Sequence, residues 1–191
     1  MYYGTVLEHI LLQNLCAFYD VGEHNQMRLH GADWNDALDM AWEHGESVAF
    51  TCAYAGNLQD IAQSLKDLEK QTGINKIEIA HELELLLASG KELYEDAKKK
   101  RKLLQTYTEQ CVHNISGETI VIRLDQLRKN LEEKAEWLKE HIRKNEWIQN
   151  GENGWFNGYY DNHKQKVEGC VDGNVRMMLT GQVFAVMSNT A

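Results

Sequence analysis

One polar segment of the chain brings together residue types that could do acid–base chemistry. It contains two carboxylates three residues apart, a tryptophan and an amide, within the run Arg28-Leu29-His30-Gly31-Ala32-Asp33-Trp34-Asn35-Asp36-Ala37-Leu38. Two carboxylates this close can share acid–base work, because the charge of one raises the pKa of the other and keeps it protonated near neutrality. The indole of Trp34 offers an apolar face suited to a sugar ring. A structural interpretation stays open, in which Asp33 caps a following helix and Asp36 interacts with the positive end of its dipole.

Three histidines, His24, His30 and His44, flank this segment. A zinc centre needs three or four ligands that converge at a recognisable spacing, and no HExxH pattern is present. We therefore expect no metal, and interpret these histidines as surface or substrate-contact residues.

The apolar spacing along the chain predicts a mainly α-helical fold built from helical hairpins. We expect a loop over 23–35 and a short helical turn over 36–42. Two segments, 155–160 and 175–179, are predicted to pair as a small β-hairpin near the C-terminus. Because no repeat or Ser- or Gly-rich linker interrupts the chain, we expect one domain over 1–191. Helices are predicted over 5–19, 47–71, 76–112, 124–142 and 181–188.

The composition of the chain argues against two classes of partner. Its 20 Lys and Arg against 29 Asp and Glu give a formal charge of −9, unsuited to a nucleic-acid backbone. No apolar run reaches the ~20 residues of a membrane helix, and no signal peptide is recognisable at the amino terminus, so we expect a cytoplasmic protein. The wide spacing of the cysteines predicts reduced core thiols, at Cys16, Cys52, Cys111 and Cys170.

A basic cluster over 98–102 invites a nuclear-localisation or nucleic-acid interpretation. However, the pairs Glu95 with Lys99 and Asp96 with Lys100 have the spacing of ion pairs along a helix surface. This pattern favours a solvated helix face.

The aromatic residues divide into two groups by their surroundings. Trp137 and Trp147 have helical spacing and are predicted to lie in the core. The others lie in loop-like surroundings, where they could line a carbohydrate cleft, namely Trp34, Trp155, Phe156, Tyr159 and Tyr160.

Four segments together resemble a known family of enzymes. The run Gly31 to Leu38 followed by Gly45-Glu46-Ser47-Val48 resembles the catalytic region of glycoside hydrolase family 94, which includes cellobiose and chitobiose phosphorylases. The resemblance continues through 154–161 and 178–188, and therefore spans nearly the whole chain. The pairing of Asp-Trp-Asn-Asp with Gly-Glu-Ser-Val at this distance is far more specific than either tetrapeptide alone.

The resemblance implies an (α/α)6 toroid that splits β-linked gluco-oligosaccharides with inorganic phosphate, inverts the anomeric centre and releases a sugar 1-phosphate. Asp36 would be the general acid that protonates the leaving oxygen, and Asp33 and Trp34 would shape the subsite of the transferred sugar. Gln182 would contact the same sugar or the phosphate, and Arg28 is a candidate by its nearness to the motif. No cofactor is implied, and phosphate is the co-substrate. An inverting hydrolase needs a second carboxylate to activate water, whereas phosphate arrives already anionic.

The chain departs from the family pattern at Ala32, Ala37 and Ala185, where glycine or proline is common. Six helical hairpins cannot be built from 191 residues, so we expect a fragment or one polypeptide of a split enzyme. Uncovered apolar helix faces predict self-association or association with the rest of the barrel. Two alternatives remain: a noncatalytic carbohydrate-binding or interaction module, and a transglycosylase like the phosphorylase-like part of cyclic β-glucan synthases.

Overall fold

A computed structural model describes residues 2–30, 41 and 43–191 of the chain. The predicted site residues Asp33, Trp34 and Asp36 lie outside the described residues, as does the predicted helical turn over 36–42 except for residue 41. The described residues contain seven helices and several small antiparallel strand pairs, which confirms the mainly α-helical prediction. The complete toroid stays a prediction.

The described elements follow one another as short strands between helices. The helices are α1 (Val6–Tyr19), α2 (Val48–Thr72), α3 (Leu83–Leu86), α4 (Lys91–Glu95), α5 (Ala97–Cys111), α6 (Leu124–Asn145) and α7 (Leu179–Met187). The strands are β1 (Met27–Arg28), β2 (Glu46–Ser47), β3 (Lys76–Ala80), β4 (Thr119–Arg123), β5 (Trp147–Asn150), β6 (Asn153–Phe156), β7 (Tyr159–Tyr160), β8 (Gly169–Val171) and β9 (Asn174–Arg176).

The chain divides into two compact units. Unit 1 comprises Met1–Asp20 and Asn57–Ala135, and unit 2 comprises Val21–Gly56 and Glu136–Ala191. Helices α2 and α6 contribute residues to both units. No helix in the described part of the chain has the length and apolar character needed to cross a membrane.

In unit 1, helix α1 begins at a capping box. The Glu8 amide donates to Thr5 Oγ1 at 3.2 Å, and the Thr5 amide donates to Glu8 Oε2 at 2.6 Å. These two bonds satisfy amides that a helix start leaves without intrahelical acceptors. The apolar face of α1 buries Leu11, Leu15 and Phe18. The predicted helix over 5–19 is confirmed.

The predicted long helix over 76–112 is wrong. Residues Lys76–Ala80 form β3, which pairs with β4 from Lys76↔Arg123 to Ala80↔Thr119. The alternation of the β-branched Ile77 and Ile79 suits a strand, and cross-strand isoleucines face both of them. Gly90, at φ 136°, then begins α4.

The segment predicted as one helix is interrupted a second time at Asp96, which caps the N-terminus of α5. Its carboxylate accepts the amides of Lys98 and Lys99 at 2.9 and 3.1 Å. The predicted surface pair of Asp96 with Lys100 is also wrong, because Lys100 is fully buried.

In unit 2, strand β2 lies between β1 and β7. It pairs Glu46 with Arg28 on one side and with Tyr160 on the other. The core beneath this sheet has two clusters of buried residues: Val48, Cys52, Ile142, Phe156, Tyr160 and Ala185, and Leu29, Ala41, Ala49, Tyr159 and Val167. Helices α2, α6 and α7 confirm the predictions over 47–71, 124–142 and 181–188.

The predicted β-hairpin between 155–160 and 175–179 does not form. Strand β6 pairs with β5, and β9 pairs with β8. The turn between β8 and β9 is Asp172-Gly173, with φ of 51° and 77°. Positive φ at both central residues is the geometry of a type I′ turn, and Asp-Gly favours it. Strands β6 and β9 therefore each pair with the adjacent strand across a short turn, and they do not pair with each other.

The prediction of a cleft lined by aromatic residues is wrong for four of the five residues, and the fifth, Trp34, lies outside the described residues. Trp155, Phe156, Tyr159 and Tyr160 are buried in unit 2 and cannot line an open cleft. Trp147 is 46% exposed and packs its edge on Phe156, and Trp137 is half-buried. All four cysteines are free, but only Cys52 is buried, so the prediction of core thiols holds for that residue alone.

Candidate functional site

The connection between β1 and β2, residues 29–45, carries the predicted acid–base motif. Its two ends are held together, because the Leu29 amide donates to the Gly45 carbonyl at 3.0 Å. The Gly45 amide in turn donates to the Ala41 carbonyl at 2.8 Å. The β1–β2 pair thus fixes the two ends of the connection. The roles of Asp33, Trp34 and Asp36 stay predictions.

Arg28 and Gln182, the two predicted site residues that the structure describes, lie on different elements. Arg28 is exposed on β1. Gln182 lies on α7 with both ends of its side-chain amide engaged by one residue of β6. Its Oε1 accepts the Phe156 amide at 3.0 Å, and its Nε2 donates to the Phe156 carbonyl at 2.7 Å. This geometry gives Gln182 a structural link between α7 and β6, and its contact with a sugar or phosphate stays a prediction.

Sequence reasoning did not identify three buried glutamates of unit 2, Glu46, Glu146 and Glu168, which are 1%, 0% and 5% exposed. Glutamate is seldom buried unless it is paired or hydrogen-bonded. The only sequence signal was the presence of Glu46 in the Gly-Glu-Ser-Val segment.

The carboxylate of Glu46 organises the turn that precedes β1. It accepts the amide of His24 at 3.1 Å to each oxygen, and the amide of Gln26 at 3.0 Å. The Nδ1 atom of His24 lies 2.8 Å from Glu46 Oε1. The imidazole stacks on the ring of Tyr160 at 3.7 Å between centroids and 10° between planes. His141 Nε2 lies 2.9 Å from the His24 carbonyl.

The carboxylate of Glu146 lies at the centre of a second buried network. The Tyr160 hydroxyl lies 3.0 and 2.9 Å from its two oxygens, Gln26 Nε2 donates at 3.1 Å and Asn157 Nδ2 at 3.3 Å. The ammonium of Lys166 lies 3.5 Å from Glu146 Oε2. Burial and the nearby Glu146 charge both raise the pKa of Tyr160, so that its hydroxyl remains a donor at neutral pH.

Glu168 has a different environment. Its Oε1 accepts the Gly158 amide at 2.7 Å, whereas its Oε2 is buried with no partner among the residues that the structure describes. Burial raises the pKa of this carboxyl, since desolvation disfavours the charged form. Gly158 makes this approach possible, because a Cβ there would lie 2.6 Å from Glu168 Oε1.

Within the described part of the chain, no group of three or more His, Cys, Asp or Glu side chains could hold a metal ion. The chemistry that this region supports is proton exchange and hydrogen bonding. An imidazole whose Nδ1 contacts a buried carboxylate is suited to both.

Comparison with known proteins gives one informative similarity. The chain is 26% identical over 190 residues to a solabiose phosphorylase of Paenibacillus borealis, a match that covers 98% of this chain and 17% of that protein. The chain therefore spans about one-sixth of the length of this relative. No family model matches the chain.

Proposed function

We propose that this chain is part of a glycoside phosphorylase. The observation that carries the proposal is the similarity to a solabiose phosphorylase along 98% of the chain. The Asp-Trp-Asn-Asp motif and its distance from Gly-Glu-Ser-Val also support this function. The substrate class is a β-linked gluco-oligosaccharide, and the product is a sugar 1-phosphate.

In this proposal Asp36 donates its proton to the glycosidic oxygen as the bond from that oxygen to the anomeric carbon breaks. A phosphate oxygen forms the new bond from the opposite face, which inverts the anomeric centre. Asp33 and Trp34 hold the transferred sugar, with Arg28 and Gln182 as further contacts to the sugar or the phosphate. No second carboxylate is required as a base, because phosphate is itself the nucleophile.

The described framework supports this proposal at the two ends of the motif segment. The β1–β2 pair and the bond from Leu29 to Gly45 hold those ends together. A segment whose two ends are fixed loses less entropy when it binds a ligand.

The test is phosphorolysis by the full-length protein with a β-linked disaccharide. We expect release of a sugar 1-phosphate that depends on added phosphate. The Asp36→Asn variant should lose about 10²- to 10⁴-fold in kcat, the usual contribution of a general acid. Asp39→Asn, three residues further along, is the matched control and should keep most of the activity.

Each alternative has its own outcome in this assay. Turnover that is independent of phosphate would favour transglycosylation. Sugar binding without turnover would favour a noncatalytic module. Full activity of Asp36→Asn would contradict the role of Asp36 as the acid.

A further inference from the structure

His24 and Glu46 form an imidazole–carboxylate pair at the base of the connection that carries the motif. His24 Nδ1 lies 2.8 Å from Glu46 Oε1, and Glu46 is 1% exposed. The carboxylate also accepts the amides of His24 and Gln26, so its oxygens act as acceptors throughout. A carboxylate acceptor at Nδ1 places the proton of the neutral imidazole on that nitrogen. The lone pair is then on Nε2.

The imidazole of His24 keeps part of its surface exposed. The side chain of His24 is 31% exposed, and no residue in the described ranges bonds to Nε2. The ring is nevertheless held in place, by stacking on Tyr160 and by the bond between His141 and the His24 carbonyl. A histidine with a purely structural role needs only its Nδ1 contact. A fixed, partly exposed ring whose Nε2 accepts no hydrogen bond from the described residues is instead an arrangement suited to ligand contact, since little side-chain entropy remains to be lost.

The position of the pair along the chain relates it to the motif. His24 lies three residues before β1, and Glu46 is the first residue of β2. The connection 29–45 runs between these two strands. The pair therefore lies on the framework that holds both ends of the motif segment.

We propose that Nε2 of His24 accepts a hydrogen bond from an O–H group of the ligand that unit 2 binds, either a sugar hydroxyl or a hydrogen phosphate oxygen. The inference rests on the proposed function, because phosphorolysis brings both groups to one site. Glu46 acts through His24 as a positioning residue. It fixes the tautomer and the ring orientation, as carboxylates do for other functional histidines.

The experiment is ¹⁵N NMR of the histidine side chains in the 191-residue chain, with cellobiose and inorganic phosphate added separately. We expect the free protein to show His24 protonated at Nδ1 and unprotonated at Nε2 near pH 8. One of the two probes should shift the Nε2 resonance in a saturable way, and the probe that does so identifies the source of the O–H group. The readout needs no turnover, so it fails or succeeds independently of the phosphorylase assay.

Two variants distinguish a loss of ligand contact from a loss of protein stability. In His24→Asn the side-chain amide lies near the position that Nδ1 occupies in the wild type and can still donate to Glu46. No atom of asparagine takes the place of Nε2. His24→Asn should therefore unfold near the wild-type temperature and bind the active probe at least about tenfold more weakly, the loss expected for one hydrogen bond. His163→Asn, at an exposed histidine of the same unit, should leave both unchanged.

Three results would overturn the proposal. The first is a His24 tautomer with the proton on Nε2, and the second is the absence of a saturable shift with either probe. The third is unchanged affinity in His24→Asn.

Discussion

Gly22 lies against the carboxylate of Glu46 so closely that a Cβ at position 22 would stand 2.2 Å from the carboxylate carbon. The same glycine amide donates to the Gln26 carbonyl at 2.9 Å and closes the turn that Glu46 fills. The absence of a side chain at position 22 is therefore what allows a glutamate to be buried beneath that turn.

Gly22→Ala should destabilise the chain by about 1–3 kcal/mol, because neither the buried carboxylate nor the turn backbone can move without losing hydrogen bonds. The measurement is the urea midpoint of unfolding. Gly4→Ala is the control, since its added Cβ would meet the nearest atom at an ordinary 3.4 Å. Equal midpoints for the two variants would show that the turn adapts.

Gln182→Ala should also lower stability, by about 1–3 kcal/mol, since it leaves the amide and the carbonyl of Phe156 without partners. Thermal unfolding of the isolated chain measures this loss. Val183→Ala, at an exposed position of the same helix, should change little. If Gln182→Ala unfolds like the wild type and only sugar affinity falls, Gln182 is a ligand contact and its link to Phe156 is dispensable.

Two conservative substitutions at buried glutamates should have opposite effects. In Glu146→Gln an amide NH₂ replaces one of two oxygens, each of which accepts from the Tyr160 hydroxyl and from either Gln26 or Asn157. Donor then faces donor, and we expect a loss of about 1–3 kcal/mol. Glu168→Gln keeps the acceptor for the Gly158 amide and removes a charge that burial disfavours. We expect it to be neutral or stabilising at pH 7.

The direction in which the effect of Glu168→Gln on stability changes with pH follows from the pKa of the Glu168 carboxyl. A carboxyl whose folded pKa is raised costs stability as pH rises through its unfolded value and then its folded value. The benefit of Glu168→Gln should therefore be present at pH 7 and vanish below about pH 4, where both states are protonated. Urea unfolding at the two pH values tests this, and a loss of stability at pH 7 would contradict it.

The parts of the fold that sequence predicted are those set by local signals. The regular apolar spacing of α1 and of α6 predicted these two helices. Ile79 and the leucines at 83, 86 and 87 also satisfy a helical spacing, which is why the pattern predicts a helix where β3 forms. Pairing with β4, whose residues lie 39 to 47 positions further along the chain, decides in favour of the strand.

The candidate site was less predictable, since its buried carboxylates depend on distant partners. Glu146 is held by Gln26, 120 residues earlier, and no local pattern encodes that contact. Glu46 could be noted only as part of a motif, and His24 only as one of three flanking histidines. The roles of Asp33, Trp34 and Asp36 stay predictions from their motif and its chemistry.

Two buried lysines of unit 1 should make stability depend on pH. Lys134 donates to the Ala88 carbonyl at 2.9 Å and to Asn130 Oδ1 at 2.6 Å, and Lys100 lies 4.0 Å from the centroid of the Phe18 ring. Burial lowers the pKa of Lys134 to about 7, and the opposing effect of Glu133 is smaller. Burial and the charge of Lys134 lower the pKa of Lys100 well below its usual value.

In the unfolded chain both lysines titrate near 10.4. Between about pH 7 and that value the unfolded state binds protons that the folded state does not, so stability should rise with pH. The slope is at most about 1.4 kcal/mol per pH unit for each lysine. Comparison up to pH 9 avoids the tyrosines, because burial raises the pKa of Tyr94 to about 12 and its unfolded form ionises near 10.

Urea unfolding at pH 7 and pH 9 measures this effect in the wild type and in Lys134→Met. The variant should show a smaller gain between the two pH values, because one of the two titrating amines is gone. Lys129→Met, at an exposed position of the same helix, keeps both amines and should show the full wild-type gain. A gain in Lys134→Met equal to that of Lys129→Met would mean that Lys134 stays charged when folded. Its contacts to Ala88 and Asn130 would then have to stabilise the ammonium enough to offset its burial.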